Sequence, residues 1–254
     1  MIKAIAFDLW ETLITNTPEI SVAHRRLRLE RMQALLHIST ADRIEHAYRA
    51  SWDRCQELYW SRDKDVPCRM QVHHFLEALG SEPFDEPAMN ALEQAYATVA
   101  VDILPEVNPG AAELIPDLKR RGYLLGLISN TGRTPGYALR MILERLGLLQ
   151  FFDATVFSNE HGECKPQPSI FNALRQSLGI EFEEMLFVGD NLYADVYGAQ
   201  RCGMTAVHFV PSQRGTAVAP PVDHDHVIEP ARTIHDLRDL VPLLECEIAE
   251  TRRS

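Results

Sequence analysis

Met185-Leu186-Phe187-Val188-Gly189-Asp190-Asn191-Leu192-Tyr193-Ala194-Asp195 reads as a buried strand running into an acid-bearing turn. The apolar run 185–188 has the length and composition of an interior strand of a parallel sheet. Two acids flank the turn that follows, which is a natural site for a hard cation such as Mg²⁺ with oxygen ligands. The alternative is an Asx turn with Asp195 as a helix N-cap and no ligand at all.

Outward from this stretch the texture alternates. Downstream lie a helix near residues 195–202 and a strand at 205–210; residues 211–225, with three prolines, read as a loop before a last helix around 234–244. Upstream, a helix at about 111–121 ends at Gly122, and a strand at 123–128 follows. Next come a helix to Gly147, a short strand at 154–157 and a helix from Ser169 to Gly179. Strands of four to six apolar residues alternating with amphipathic helices predict an α/β fold, a doubly wound parallel sheet. Residues 2–7 supply one more strand, ending at Asp8.

Between that strand and the alternating region the pattern is helical. Ile44, Tyr48, Trp52, Cys55 and Tyr59 recur at steps of three and four, as do Val72, Phe75, Leu76 and Leu79 before Gly80, and Met89, Leu92, Tyr96 and Val99. Breaks at Ser39-Thr40, Asp65-Val66-Pro67 and Ser81-Glu82-Pro83 divide a bundle of about four helices. The expected organisation is a core of residues 1–17 and 102–254 with a helical unit, residues 18–101, inserted after the first strand.

Bulk properties exclude some classes of function. The 254 residues carry a formal charge of −11, with 46% hydrophobic and 24% charged residues, ordinary values for a globular protein. That charge argues against nonspecific binding to nucleic acid or an anionic membrane, while leaving a small anionic substrate open. Five cysteines, at 55, 68, 164, 202 and 246, are scattered and never spaced Cys-x-x-Cys, which predicts reduced thiols rather than a disulfide framework or zinc site. No apolar run approaches the roughly 18 residues of a membrane span, and the N-terminus lacks a signal-peptide layout. A cytoplasmic protein is expected; oligomeric state is not legible.

In open parallel sheets ligands bind beyond the carboxyl ends of the strands, where Asp8, Ser129, Ser158 and Asp190 fall. Asp8 is ionised at neutral pH and can attack an electrophilic centre; alone it could equally be a cap or surface residue. In Ser129-Asn130-Thr131-Gly132 a hydroxyl and backbone N–H groups can hold phosphate oxygens, or merely cap the next helix. Lys165, held extended by Pro166, can offset the repulsion between a carboxylate nucleophile and an anion.

These elements, in this order, resemble the haloacid dehalogenase-like hydrolase superfamily. Residues 158–168 (Ser-Asn-Glu-His-Gly-Glu-Cys-Lys-Pro-Gln-Pro), Phe187-Val188-Gly189-Asp190-Asn191 and residues 198–204 (Gly-Ala-Gln-Arg-Cys-Gly-Met) are close to its pattern. The resemblance implies that Asp8 is the nucleophile and that Ser129 and Lys165 bind the transferring group; Asn130, from the turn that follows its strand, and Trp10, from its aromatic surface, are further candidates to contact the substrate. The resemblance also implies Mg²⁺ held by Asp8, Asp190 and the backbone carbonyl of Trp10, with Asp195 supporting the metal shell or Lys165. The helical insert would be the family's cap, and the substrate a small, phosphorylated, anionic molecule.

Position 10 departs from that pattern. Phosphatases of the family carry an aspartate there that protonates the leaving group and then activates water. Indole donates a hydrogen bond but exchanges no proton near neutral pH, and loss of a general acid–base costs roughly 10²–10⁴-fold in rate. Three readings stand: a phosphatase with an altered proton-transfer step, displacement at carbon as in 2-haloacid dehalogenases, or ligand binding without turnover. Dehalogenases of the superfamily carry an aromatic residue at this position, but need no metal and lack the Gly-Asp pair.

Glu11 is a candidate substitute acid, against the expectation that it faces solvent; a positive φ there would strain the backbone. Lys64 sits in a polar turn, 62–65, unsuited to a buried imine. His73-His74 cannot share one helical face, and Asp223-His224-Asp225-His226 reads as a solvated turn. The basic residues His24, Arg25, Arg26, Arg28 and Arg31 are expected on a wet helix face, with recognition of an anionic substrate tail as the alternative. Trp52 is expected in the core of its helical stripe, and Trp60 could border the cleft.

Overall fold

The computed structural model describes residues 1–37, 40–81, 84–211 and 228–251, with side chains described up to residue 245. Six parallel strands form one sheet in the order β5-β4-β1-β6-β7-β8. They are β1 (Ala4–Phe7), β4 (Leu124–Ser129), β5 (Ala154–Phe157), β6 (Met185–Gly189), β7 (Thr205–Phe209) and β8 (Arg232–Ile234). A separate antiparallel pair, β2 (Ile14–Thr15) and β3 (Glu106–Val107), joins the two chain crossings between the sheet and the helical segment.

The strand pattern divides the core in two. In β1 alternate side chains face opposite sides of the sheet. Ile5 and Phe7 join a cluster with Leu114, Leu118, Leu139 and Leu143. These come from α6 (Ala111–Arg120) and α7 (Gly136–Arg145). Ala4 and Ala6 pack on the other side with Ile170, Phe171 and Leu174 of α9 (Pro168–Leu178), and with Ala199 of α10 (Gly198–Arg201). Both faces are covered, as a parallel sheet requires.

The helical segment comprises α1 (Pro18–Leu36), α2 (Ala41–Leu58), α3 (Cys68–Leu79), α4 (Glu86–Ala97) and the short α5 (Val99–Asp102). It has its own buried cluster, including Ile44, Val72, Phe75, Leu92 and Tyr96. Pro18 at the first turn and the Thr17 side chain, which accepts from the Ile20 N–H, start α1; Asp85 caps α4 in the same way.

Several expectations are corrected. Ile234 belongs to β8 and not to the last helix, which is α11 (Leu240–Thr251); a three-residue strand is too short for a period to declare itself. Trp52 is 39% exposed rather than core: its ring packs at a tilt against that of Trp60 and lies against Gly132. Arg28 and His24 are buried rather than wet, each donating or sharing a hydrogen bond with a main-chain carbonyl, of Tyr96 and Ile103 respectively. Arg25 and Arg31 do lie at the surface, paired with Glu45 and Asp102. His74 is buried between Tyr59 and Glu77. Residues 223–226 lie outside the described residues. No described helix is long and apolar enough to cross a membrane.

Candidate active site

Strand order brings the predicted residues together. β1 lies between β4 and β6, and Phe7 is in register with Leu127 and with Val188. Asp8, one residue on, therefore stands between the tips of β4 and β6, its own N–H donating to the Val188 carbonyl at 2.9 Å. Lys165 arrives from the loop after β5 and spans this gap. Its Nζ lies 2.6 Å from Asp8 Oδ1 and 2.7 Å from Asp195 Oδ1, and donates to the Ile128 carbonyl at 3.0 Å.

Asp195 owes its position to a wide helical turn. Leu192–Tyr197 forms a π-helix, wider than the α-helix expected to start here, with Asn191 Oδ1 accepting from the N–H groups of Tyr193 and Ala194. Such π turns insert a residue and re-aim a side chain. The Asp195 carboxylate folds back to accept the Asn191 N–H at 2.9 Å. It lies so close to Gly189 that a Cβ there would fall 2.3 Å from Asp195 Oδ2. Glycine at 189 is thus required by close approach.

Asn130 takes a role that its position alone did not reveal. Its carboxamide donates to the Lys165 carbonyl at 3.1 Å and accepts the Lys165 N–H at 2.9 Å. Both polar atoms of the side chain hold the lysine's main chain. Ser129 is fully buried at the end of β4. Trp10 is half-buried and packs against the cluster around Ile5 and Phe7.

The electrostatics are lopsided. Asp8, Asp190 and Asp195 present oxygens all within 4.8 Å of one another, facing one ammonium. Burial pushes the Asp8 carboxyl up to about 6; Lys165 opposes the shift and Asp195 adds to it. Burial, then the charges of Asp8 and Asp195, push Asp190 up to about 8. For Lys165 burial works downward, but the two carboxylates overcome it and hold the ammonium above its usual range. Asp8 Oδ2 is buried with no hydrogen-bond partner among the described residues. An orphaned buried carboxylate oxygen beside two further acids is a deficit of positive charge, and an all-oxygen set suits a hard divalent ion. The residues present fit Mg²⁺.

Glu11 is not solvent-facing as expected. It is 5% exposed, accepts the Thr15 hydroxyl at 2.9 Å, and adds to the upward push on Asp190. Asn108 pins this loop, its amide donating to the carbonyls of Glu11 and Thr12. Glu11 has φ 62, a left-handed conformation that costs about 1–2 kcal/mol for a residue with a Cβ. Glu11→Gly should therefore raise the melting temperature by a few degrees, about 2–4 °C per kcal/mol for a chain of this size, measured by thermal denaturation. A fall would mean that the Thr15 contact outweighs the strain.

Beyond the predicted set, Asp65 of the 62–65 turn also reaches the strand tips, while Lys64 beside it is exposed. Asp65 bonds Ser158 and Thr131, 93 and 66 residues away in the chain. The only local hint was an acid just before Val66-Pro67.

Comparison with known proteins matches residues 2–203 to the family described as haloacid dehalogenase-like hydrolase. A glyceraldehyde 3-phosphate phosphatase of Pyrococcus abyssi is 33% identical over 211 residues, 82% of either chain. A ribulose-1,5-bisphosphate 5-phosphatase of Halopiger xanaduensis is 29% identical over 247 residues, 95% of this chain and 100% of its own length. Among solved structures, a 2-haloacid dehalogenase from Pseudomonas syringae pv. Tomato superposes with TM-score 0.67 at 24% identity. It covers 96% of this chain and 99% of its own, and the likeness bears on the fold alone.

Proposed function

Because the chain belongs to the haloacid dehalogenase-like hydrolases, we propose that it is a Mg²⁺-dependent phosphatase working through an aspartyl-phosphate on Asp8. The observation that carries this reading is the orphaned Asp8 Oδ2 beside Asp190, with three carboxylates against one ammonium. A metal-free displacement at carbon has no use for that arrangement. The substrate class follows the names of the two relatives: a short phosphorylated aldehyde or sugar. The helical segment, residues 18–101, serves as the cap that closes over it, and the protein works in the cytoplasm.

Asp8, Asp190 and the Trp10 backbone carbonyl would hold the cation, with Asp195 supporting the set. When bound, Mg²⁺ neutralises charge on the carboxylates and on the phosphoryl oxygens. The chain's own residues do the rest. An Asp8 carboxylate oxygen attacks phosphorus; the new O–P bond forms as the bond to the leaving oxygen breaks and takes its electron pair. Lys165, held by Asp195 and by the carboxamide of Asn130, keeps a fixed positive charge at the reacting phosphoryl group. The Ser129 hydroxyl holds a phosphoryl oxygen. Water then attacks phosphorus as the Asp8 O–P bond breaks; its electron pair returns to the Asp8 carboxylate, and the water's protons leave on the released phosphate. The Trp10 indole cannot give the leaving oxygen its proton, so the site favours leaving groups that need little help.

Metal dependence separates this reading from dehalogenation. Phosphate release from an aryl phosphate is expected, abolished by chelator and restored by Mg²⁺, with no halide released from 2-chloropropionate. Halide release that survives chelation would overturn the reading. Tight Mg²⁺-dependent ligand binding without turnover on a broad panel would replace it with a binding role.

A further inference from the structure

We infer that Asp65, on the turn between α2 and α3, is a positioning residue that sets the two phosphoryl-binding loops against each other from the helical side. The inference rests on the phosphatase reading above. Asp65 is 5% exposed. Its Oδ2 accepts from the hydroxyls of Ser158 at 2.5 Å and Thr131 at 3.0 Å. Its Oδ1 accepts from the Trp60 indole N–H and the Val66 N–H, both at 2.8 Å. The Thr131 N–H donates in turn to Ser158 Oγ at 2.9 Å.

Each partner leads directly to a group of the site. Thr131 is two residues beyond Ser129, on the loop after β4. Ser158 opens the short helix α8 (Ser158–His161), which leads from β5 into the loop that carries Lys165. Main-chain bonds extend the junction: the Asp65 N–H donates to the Gly162 carbonyl at 3.0 Å, and the Cys164 N–H to the Asp63 carbonyl at 2.7 Å. The helical segment is thus tied to both loops at this buried junction, which adds to its bonds with the loop after β4, from Gln71 to the Gly132 carbonyl and from Arg133 to the Tyr48 carbonyl.

The chemistry explains why a carboxylate stands there. All four donors are neutral, so a buried charge is costly, and burial does push the Asp65 carboxyl upward. Asparagine would be cheaper to bury but has a single acceptor oxygen. Only a carboxylate accepts two bonds on each oxygen, one pair local and the other reaching the two loops. A shift of about 1 Å in positioned groups can cost on the order of 10²-fold in rate.

The test uses the full chain with Mg²⁺ and an aryl phosphate, comparing Asp65→Ala, Asp65→Asn, Thr131→Val and the Asp65→Ala/Thr131→Val pair. Asp65→Ala should lower kcat by about 10–100-fold, with Asp65→Asn intermediate. Inhibition by orthovanadate, which mimics the pentacoordinate phosphorus, should weaken by a similar factor. KM and inhibition by inorganic phosphate should move by no more than about threefold, because ground-state binding does not demand the same alignment. The double variant should lose no more than Asp65→Ala alone, since the two residues act as a unit. Unchanged kcat per folded molecule in Asp65→Asn and Thr131→Val would overturn the inference even if Asp65→Ala fails to fold, as would additive losses in the pair. A wild-type protein that releases no phosphate sinks the phosphatase reading and this inference with it; an active wild type with unaffected variants sinks this inference alone.

Discussion

Asp8→Asn should lower phosphate release by about 10⁶-fold, the scale seen when a covalent nucleophile is removed, while the protein stays folded. The amide is nearly the same size but is a poor nucleophile, and it takes one negative charge out of a buried cluster that has too many. The melting temperature of the metal-free variant should therefore equal or exceed that of the wild type near neutral pH, because burial makes the Asp8 charge costly by more than its pairing with Lys165 offsets, pushing its carboxyl up to about 6. Rate and melting curve together make the test sharp. Lost activity with a preserved or raised melting temperature assigns Asp8 to chemistry. Residual activity above about a tenth of wild type would remove Asp8 from the nucleophile's role.

Trp10→Asp should raise turnover of an alkyl phosphate by about 10²-fold, the lower end of what a general acid contributes. A phenyl phosphate with an acidic phenol should change far less. An alkoxide is a strong base and needs a proton as the P–O bond breaks, whereas an acidic phenolate leaves unaided. The measurement is the slope of kcat/KM against leaving-group pKa: steep in the wild type, flatter in the variant. Trp10 packs against the core, so rates must be taken per folded molecule. If turnover stays level or falls for both substrates, Trp10 is part of a tuned site rather than a gap in the machinery.

Much of the site was legible because it sits on strand tips. A run of apolar residues followed by Asp8, Ser129 or Asp190 places the polar residue at the carboxyl edge of a parallel sheet by pattern alone, and strand order does the rest. Lys165 was legible through the surrounding stretch of sequence rather than its own chemistry, since isolated lysines are usually solvated. Asp65 was not legible as a site residue, because its partners Ser158 and Thr131 are 93 and 66 positions away. Glu11 shows a different limit: the turn after Asp8 could be read, but not that Asn108 closes the loop from across the chain and carries the carboxylate inward.

The amino-acid sequence by itself determined the sheet, the helical stretch after the first strand, and the placement of Asp8, Ser129 and Asp190 at the sheet's edge. Those features follow from local rules: side-chain period, turn chemistry and the placement of polar residues at element ends. Only the tertiary structure decided which polar groups face one another. It gave Asp195 and Asn130 to Lys165, left one oxygen of Asp8 without a partner, and brought Asp65 from the helical segment into the junction of the two loops. The physical reason is distance along the chain. A period of two or 3.6 orients residues within one element, while a contact between elements depends on how whole packed faces come together.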